Sequence, residues 1–428
     1  MIPRTLIILL SILSSTTALT CQVPGGTSDD SPAILAALKQ CNNGGTVVLD
    51  KTYTMGSVLQ TDFLSNIAIQ LSGTVSLSTD LNYWQKNSIQ LTYQDAYTAW
   101  AIGGTNIHHC AFLHLVQIFG GGTYNGGGDA WYSAGKTGPI MLTLLNAKNV
   151  LIEHISMNKS PFWHNLVDGC TNVTYSHLNM DSVQTDGKQA QNTGELFLAF
   201  GSCWDTYRSS QVTITDCTII NGDDCVSFKP NSTDILVQNL YCQGSHGISV
   251  GSLGQYAGQV DIVKNVHAKN ITMVNASNGA RIKAWGGSPS ATSTKGGGTG
   301  FVQNITFEDF IMKNVDLPVV IDQCYQTSAD TCAQYPSGVR ISDVHYIDIT
   351  GTGGKASEVV TMVCSDVCDN ITATGTKLVG TKGSSEYICQ NIASVDKLDF
   401  PCNASGITVG GTTKTTKSAK PTATKSKS

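Results

Sequence analysis

Short runs in which apolar and polar residues alternate dominate the chain from Thr46 onward, and Gly, Asn or Asp separates them. Such alternation predicts β-strands, because successive side chains of a strand point to opposite faces of the sheet. Several runs begin with Asn or another polar residue, and most recur at intervals of roughly 20 to 40 residues. The clearest runs cover residues 149–157, 172–180, 211–220, 234–242, 269–273, 303–312 and 339–349.

None of these runs could close a hydrophobic core by itself, so a stack of single-strand units is expected. The predicted fold class is all-β, as a single-stranded right-handed parallel β-helix. A β-sandwich would need hairpin turns between neighbouring strands, and Asn-Gly hairpin signals are few. Asp29, Asp30, Ser31 and Pro32 precede the apolar segment AILAALKQC, which predicts an N-cap and a short N-terminal helix that caps one end of the solenoid.

Two glycine-rich stretches, residues 120–132 and 286–300, are predicted as loops. Residues 409–428 are mostly Thr, Ser and Lys and are predicted to be a disordered tail, because they offer little apolar surface to bury. Residues 1–20, with Arg4 before an apolar run, predict a secretory signal peptide. The expected organisation is therefore a signal peptide at 1–20, one β-helix domain at 21–408 and a tail at 409–428.

Composition supports an extracellular destination without a membrane span. Only 13% of the 428 residues are charged, 43 are Gly, and no segment after the signal is apolar enough to cross a bilayer. Fourteen cysteines favour an oxidising compartment. Glycosylation sequons also suit a secreted chain; they lie at Asn172, Asn231, Asn270, Asn275, Asn304, Asn370 and Asn403.

The cysteines fit disulfides better than a metal site, since paired CxxC and HxxxH spacings are lacking. The sequence therefore predicts no metal and no cofactor. Connectivity stays open at this point, although near neighbours could pair: Cys21 with Cys41, Cys225 with Cys242, Cys324 with Cys332, Cys364 with Cys368, and Cys389 with Cys402.

The formal net charge of −5 argues against nucleic acid as a partner, and it gives no general attraction to an acidic polymer. An anionic substrate must therefore be held by local cations. The protein is expected to act as a monomer.

The richest chemistry lies between Asn221 and Gly254, where the adjacent carboxylates Asp223 and Asp224 stand one short strand before His246. Two carboxylates and an imidazole can carry out acid-base hydrolysis without a cofactor. A disulfide between Cys225 and Cys242, which bracket the intervening strand, would fix the two halves of this stretch. Taken alone, an Asp-Asp pair in a glycine-rich turn is more often only a solvated turn.

The flanking residues change that balance. The segments Asn221–Val226, Ser245–Ile248, Val250–Ser252 and Arg281–Lys283 together resemble the motif series of the polygalacturonases, glycoside hydrolase family 28. The resemblance extends over about residues 25–405 and is greatest to the fungal exo-acting members. It implies a β-helix that hydrolyses α-1,4-linked galacturonate in pectin from a chain end, with inversion and without a cofactor.

The same resemblance assigns the catalytic roles. Asp223 is expected to protonate the leaving oxygen, Asp224 to activate water, and His246 to orient the acid or adjust its protonation. Inversion typically places the two carboxyl groups roughly 6.5 to 9.5 Å apart. Neighbours on a regular strand point to opposite faces, so both aspartates can reach one cleft only if the chain bends or bulges over Gly222–Asp224.

Substrate binding is expected from two cations and two further side chains. Arg281 and Lys283 are two residues apart on a predicted strand, so both point to one face, and in the family the equivalent pair binds substrate carboxylates. Tyr325 resembles a family tyrosine that packs on the sugar. Asp205, in the segment Trp204–Tyr207 that matches part of a family motif, is placed with the substrate-binding residues.

One family motif is interrupted in this chain. The motif runs Asn-Thr-Asp-Gly before an aromatic residue and Asp-Thr-Tyr, but Ser202 stands three residues before Asp205, where a water-activating Asp is expected. Partial copies lie upstream at Asn192–Gly194 and Gln184–Gly187. We interpret residues near 194–203 as an insertion, for example a translated intron. Two alternatives therefore stay open: a hydrolase of substituted pectin such as xylogalacturonan or rhamnogalacturonan, and an inactive β-helix that only binds pectin.

Overall fold

The structure, a computed structural model, describes residues 18–104, 116–183 and 202–402. Short strands follow one another through these residues, with four short α-helices and one 3-10 helix between them. The strands are β1 (Thr20–Gln22), β2 (Thr46–Leu49), β3 (Thr52–Met55), β4 (Leu59–Thr61), β5 (Ile67–Leu71), β6 (Thr74–Leu77), β7 (Ile89–Gln90), β8 (Tyr97–Ile102), β9 (Val116–Phe119), β10 (Thr123–Asn125), β11 (Ile140–Leu145), β12 (Lys148–Glu153), β13 (Ser156–Asn158), β14 (Asn165–Asp168), β15 (Thr171–Ser176), β16 (Asn179–Asp181), β17 (Trp204–Tyr207), β18 (Ser210–Ile220), β19 (Val226–Phe228), β20 (Ser232–Gln243), β21 (Ile248–Leu253), β22 (Val260–Val274), β23 (Asn278–Trp285), β24 (Thr299–Val315), β25 (Leu317–Tyr325), β26 (Gly338–Gly353), β27 (Glu358–Thr374), β28 (Lys377–Val379) and β29 (Glu386–Ile392). The helices are α1 (Ser31–Gln40), α2 (Leu81–Asn87), α3 (Gly128–Ala134), α4 (Ala329–Gln334) and the 3-10 helix Thr381–Gly383.

Strands from successive coils pair in parallel. On one face the order is β11, β14, β17, β19, β21, β23, β25, β27. On a second face it is β12, β15, β18, β20, β22, β24, β26. Among the described strands only β7 and β8 pair antiparallel. The predicted all-β parallel β-helix is confirmed: five of the seven predicted runs lie within one strand, and runs 149–157 and 172–180 each span two successive strands.

The core runs continuously from coil to coil because equivalent inward positions are in register. Trp204, Val226, Ile248 and Ala280 form one such column, and each is fully buried. Burying a Val, Ile or Phe side chain contributes about 1.5–3 kcal/mol relative to leaving it exposed. Each coil is therefore stabilised mainly by the coils on either side of it.

The polar residue that opens many runs has a conformational role. Asn172, Asn270, Asn304 and Asn370 all have left-handed backbone conformations, with φ between 49° and 58°. Asn tolerates this region better than most side chains do. Each donates a hydrogen bond from Nδ2 to a side-chain oxygen of the preceding coil, at 2.6–2.9 Å. These four sequon residues thus form polar ladders along the solenoid, and glycosylation at the sequons stays a prediction.

The N-terminal capping helix is confirmed as α1, but its predicted cap is not. Asp30 occupies the N-cap position without a side-chain bond to the helix. Its carboxylate instead accepts from the backbone N–H groups of Thr27 and Thr54. Asp29 accepts from the N–H of Ser31 and of Gly56. The two acidic residues therefore tie the helix to the neighbouring coil rather than capping it.

The helices α2, α3 and α4 were not predicted, and part of the predicted loop at 120–132 was wrong. That stretch contains β10 and the start of α3, because left-handed backbone at Gly127 and Gly135 lets the chain enter and leave the helix. Trp131 and Tyr132 of α3 are buried against the solenoid. Residues 286–298 carry no helix or strand, as predicted, apart from one β-bridge at Gly296.

All five suggested disulfides are present: Cys21–Cys41, Cys225–Cys242, Cys324–Cys332, Cys364–Cys368 and Cys389–Cys402. Cys170, Cys203 and Cys217 are free and buried. Within the described ranges no helix is long and apolar enough to cross a membrane. Most of the predicted signal peptide and the whole 409–428 tail lie outside those ranges, so the domain boundaries stay predictions.

Candidate active site

The turn 221–225, called here the acid turn, leads into β19 and carries both candidate aspartates. The buried Asn221 side chain donates from Nδ2 to the carbonyl oxygens of Asp223 and Asp224, at 3.0 Å each. The N–H of Asp224 donates to Oδ1 of Asp223 at 2.7 Å. Because both aspartates precede the strand, the alternation of a strand does not apply, and their side chains face the same cleft.

The turn before β21 brings His246 against the acid turn. The His246 N–H donates to the carbonyl oxygen of Asp223 at 2.7 Å, and its Nδ1 lies 3.3 Å from Asp223 Oδ1. Gly247 follows with φ +103°, and a Cβ there would come within 2.3 Å of the Gly279 carbonyl oxygen. Only glycine fits this position, so the Ser-His-Gly sequence places the imidazole beside the carboxyl of Asp223.

Asp224 is held on both of its carboxylate oxygens. Oδ2 lies 2.6 Å from Lys283 Nζ, and Oδ1 accepts from Ser249 Oγ at 2.6 Å. Burial alone would raise the pKa of Asp224, but the cations of Lys283, Lys229 and Arg281 lower it well below its ordinary value. Asp224 is therefore ionised throughout the mildly acidic and neutral range, as a water-activating carboxylate must be.

The predicted substrate-binding cations share one surface on β23. Arg281 Nη1 lies 3.9 Å from Asp224 Oδ1, beside the shorter contact of Lys283. Both cations lie over the ring of Tyr325, at 5.5 and 5.6 Å from its centroid, and Trp285 packs edge-on to that ring. The structure thus brings Arg281, Lys283 and Tyr325 together with the two aspartates.

Asp205 joins this cluster through a lysine that the sequence analysis missed. Asp205 is in register with Ser227 of the next coil and is 0% exposed. Its Oδ1 lies 3.2 Å from Lys229 Nζ, and that ammonium lies 5.6 Å from the centroid of the Trp163 ring. Complete burial raises the pKa of Asp205 to about 7, against the opposing effect of Lys229. Burial would lower the pKa of Lys229, but Asp205, Tyr93, Asp224 and Asp223 together outweigh it and raise that pKa, so the ammonium stays charged.

Lys229 and Ser249 could have been found from strand alternation. Ser227 and Lys229 are two residues apart across the end of β19, and Ser249 is in register with both Ser227 and Arg281. A Lys that directly follows the apolar segment Val226–Phe228 is itself a signal, because a buried cation needs a partner. The register between distant coils, which supplies that partner, could not be derived from the sequence.

The turn that should carry the missing carboxylate is unusually long. Residues 182–203 separate β16 from β17, which is 22 residues, whereas equivalent connections take 14 (126–139, which includes α3), six (159–164), five (221–225) and four (244–247). The two shortest of these turns carry Asp223, Asp224 and His246. The length supports an insertion at this edge of the cleft. Asn192–Gly194, Gln184–Gly187 and most of 194–203 lie outside the described residues, and Ser202 is buried.

Residues 91–96, called here the strap, contact Tyr207 at the end of β17 and Gln255 after β21. Tyr93 stacks on Tyr207 with centroids 4.1 Å apart, and Gln94 Nε2 lies 3.2 Å from Oε1 of Gln255. The strap belongs to a hydrophobic cluster separate from the main core, formed by Leu91, Tyr93, Ala96, Ile140, Trp163, Leu166 and Tyr207. Leu166 is in register with Asp205, so the cluster occupies the cleft face immediately before Asp205.

A metal ion is not favoured by this charge arrangement. One ligand atom each from Asp223, Asp224 and His246 lie within 4.8 Å of one another, a spacing that could suit a cation. However, the Lys283 ammonium already occupies Asp224 Oδ2, and Arg281 and Lys229 add two more positive charges. A divalent cation would therefore meet strong repulsion. The prediction of a metal-free and cofactor-free site stands as a prediction.

The arrangement suits acid-base hydrolysis of an anionic substrate. Asp223, whose side chain is 12% exposed, can deliver a proton, and the ionised Asp224 can activate water. The two carboxylates approach to within 4.8 Å, closer than the roughly 6.5 to 9.5 Å typical of inverting glycosidases. Both Asp224 oxygens are already hydrogen-bonded, which disfavours direct attack by this group on a sugar.

Comparisons with known proteins agree with the fold and the chemistry. Residues 42–399 match the family model described as Glycosyl hydrolases family 28. The chain is 43% identical over 383 residues to Exopolygalacturonase X-1 of Emericella nidulans, covering 86% of this chain and 84% of that protein. It is 42% identical over 386 residues to an Exopolygalacturonase of Cochliobolus carbonum, covering 87% and 83%. The crystal structure of endo-xylogalacturonan hydrolase from Aspergillus tubingensis matches with a TM-score of 0.75 at 29% identity, covering 90% and 99%.

Proposed function

The chain belongs to family 28 of the glycosyl hydrolases, and we propose that it removes galacturonic acid from one end of polygalacturonate by inverting hydrolysis of α-1,4 links. The observation that carries this proposal is the cluster of Asp223, Asp224, His246, Arg281 and Lys283 in one cleft. It combines a proton donor, an ionised carboxylate and two cations for a uronate substrate. The relatives' names support the same substrate.

The proposed chemistry divides the work between two groups. Asp223 protonates the leaving glycosidic oxygen, and the neighbouring imidazole of His246 orients that carboxyl. Asp224, held ionised by Lys283 and oriented by Ser249, draws a proton from the attacking water. The new C–O bond forms from water as the glycosidic C–O bond breaks, so one water molecule is consumed per link.

The strap supports action at a chain end. An endo-acting enzyme needs a cleft open at both ends, because the polymer must continue past the site on each side. Here the cluster around Tyr93, Trp163 and Leu166 occupies the cleft face directly beside Asp205. The cations Arg281 and Lys283 lie on the opposite side of the aspartates, where the polymer can extend.

We further propose that the protein is secreted and acts as a monomer on pectin. Five disulfides support an oxidising, extracellular compartment.

Product analysis on polygalacturonate tests the proposal. Chromatography of early reaction samples should show galacturonic acid alone, with chains shortened slowly. Oligomers at the earliest times would mean endo action and would remove the role given to the strap. Release of nothing, with binding to the polymer retained, would instead indicate the inactive pectin-binding β-helix.

A hydrolase of substituted pectin is the second candidate. The observation in its favour is the 29% identity and 0.75 TM-score to the endo-xylogalacturonan hydrolase. Parallel assays on xylogalacturonan and rhamnogalacturonan separate the two. Activity confined to a branched polymer would replace the first proposal with the second.

A further inference from the structure

The Lys229–Asp205 ion pair carries a function that the catalytic scheme does not use. The Lys229 side chain is only 9% exposed, yet its ammonium has three donors and, among the described residues, forms an ion pair only with Asp205. Apart from that ion pair, neither oxygen of Asp205 has a hydrogen-bond partner there. Buried charged groups with this much unused capacity call for a ligand, because unpaired polar atoms are costly inside a protein.

The position of the pair identifies which ligand it meets. Lys229 directly follows β19 and pairs with Asp205 of the preceding coil, whereas Arg281 lies on β23, two strands from β19. Adjacent strands are about 4.8 Å apart, so the two cations lie on coils separated by about 10 Å. The acid turn leads into β19, and Asp224 interacts electrostatically with both Lys229 and Arg281, so one further carboxylate does not reach both cations. Each cation group therefore faces a different sugar of a bound chain.

We propose that Lys229 is a specificity residue that binds the carboxylate of the sugar on the Asp205 side of the cleaved link, with Asp205 as its positioning residue. The inference rests on the proposed function and extends the same site. Because the strap closes the cleft beside Asp205, this sugar is the unit that is released. The sequence prediction that Asp205 binds substrate is thereby revised: its 0% exposure means that it acts through Lys229.

The charges around Lys229 allow this role. The charged groups that act on Lys229 are Asp205, Asp224 and Asp223, and Arg281 and Lys283 lie beside Asp322 at the other end of the site. A uronate on each side of the cleaved link therefore adds negative charge where a cation is available. The Trp163 ring, 5.6 Å from the Lys229 ammonium, forms a wall of the same end of the cleft.

The test uses digalacturonate and its two mono-methyl esters, which neutralise one carboxylate each. The wild-type enzyme should cleave the free acid with kcat/KM roughly 10- to 100-fold above that for either ester, the range expected for hydrogen bonds to a charged group. Lys229→Met should lose the preference over one ester and keep the preference over the other. Arg281→Gln should show the opposite pattern. Lys264→Met, at an exposed lysine of β22, should resemble the wild type. Lys229→Arg, which keeps the charge, should keep the preference over both esters even if its kcat/KM falls.

Several results would overturn the proposal. It fails if Lys229→Met keeps the preference for the free acid over both esters, or if it loses both preferences together. It also fails if the wild type discriminates against neither ester. If Lys229→Met does not fold because Asp205 is left unpaired, the double variant Lys229→Met with Asp205→Asn, which removes both charges, is tested instead. That double variant must likewise lose the preference over one ester and keep the preference over the other. If the wild type cleaves none of the three compounds, the proposed function fails instead, and calorimetric binding of the two esters decides the role of Lys229.

Discussion

Replacing Lys283 by Met tests the electrostatic arrangement that the chemistry requires. Lys283 Nζ lies 2.6 Å from Asp224 Oδ2, and the side chains are 7% and 2% exposed. Met has a similar length and no charge, so the substitution removes the ammonium while filling most of its space. Asp224 is then left buried with Ser249 and the more distant cations as its remaining partners.

The magnitude follows from the burial of the pair. Breaking a buried ion pair by removing one partner costs about 3–5 kcal/mol, and the remaining cations should hold this case near 3 kcal/mol. A matched control is Lys355→Met, since Lys355 Nζ lies the same 2.6 Å from Asp316 Oδ2 but is 81% exposed. That exposed pair is screened by solvent and should contribute about 0–1 kcal/mol. Urea unfolding midpoints of the two variants should therefore differ clearly.

The dependence of stability on pH should weaken while keeping its sign. In the wild type the pKa of Asp224 lies below its unfolded value of about 3.9, so ionised Asp224 stabilises the fold above that pH, and this stabilisation is lost as pH falls through the folded pKa. Without Lys283, which lowers this pKa more than any other cation, the folded pKa rises toward the unfolded value, while Lys229 and Arg281 still lower it. The pH-dependent part of the stability that Asp224 supplies therefore becomes smaller.

The pH profile of kcat/KM on digalacturonate gives the kinetic measurement. Its acid limb reports the essential base of the free enzyme, and 3 kcal/mol corresponds to a shift of about two pH units. We expect the limb to move to higher pH by about that amount in Lys283→Met and to stay in place in Lys355→Met. An unmoved acid limb in a folded Lys283→Met variant would refute the assignment of Asp224 as a base held ionised by Lys283.

Three further variants test separate parts of the site. Asp223→Asn removes the proton donor but changes the side-chain volume little. Turnover should fall at least 1,000-fold, on the order expected for a lost general acid and its coupled groups, while the affinity for oligogalacturonate measured by calorimetry stays within a fewfold. Near-normal turnover would remove Asp223 from the acid role. Replacing Cys225 and Cys242 by Ser removes a disulfide between residues 17 apart in sequence and should lower the free energy of unfolding by about 3 kcal/mol in denaturant titrations. An unchanged unfolding midpoint would show that the acid turn does not depend on the disulfide. Arg281→Gln should raise KM for polygalacturonate about 10-fold or more with a smaller change in kcat, and an unchanged KM would place Arg281 outside the bound chain.

The fold was readable from the sequence because its pattern is repetitive. Alternating runs such as 211–220 and 339–349 predict strands, and their recurrence predicts a solenoid. The Asn residues that open many runs have left-handed backbone and join polar ladders, so their repetition reflects the turn geometry of each coil. The helix α3 was missed because its glycines look like loop residues until the burial of Trp131 and Tyr132 is known.

The candidate site was only partly readable. Motif order predicted Asp223, Asp224 and His246, and the structure places them within one cleft. Lys229 was missed because its partner, Asp205, lies on the preceding coil and is reached only through strand register. The strap was missed for the same reason, since Gln94 and Gln255 are 161 residues apart. Long-range register of this kind is set by packing and does not appear in local patterns.

The most direct test of the account is time-resolved proton NMR of trigalacturonate hydrolysis. Water activated by Asp224 must attack opposite the leaving group, so the first product should be galacturonic acid and digalacturonate, with the newly formed reducing end as the β-anomer before mutarotation. The short separation of the two carboxylates, taken alone, would suggest retention, and retention would produce the α-anomer first. That result would contradict the proposed division of roles between Asp223 and Asp224.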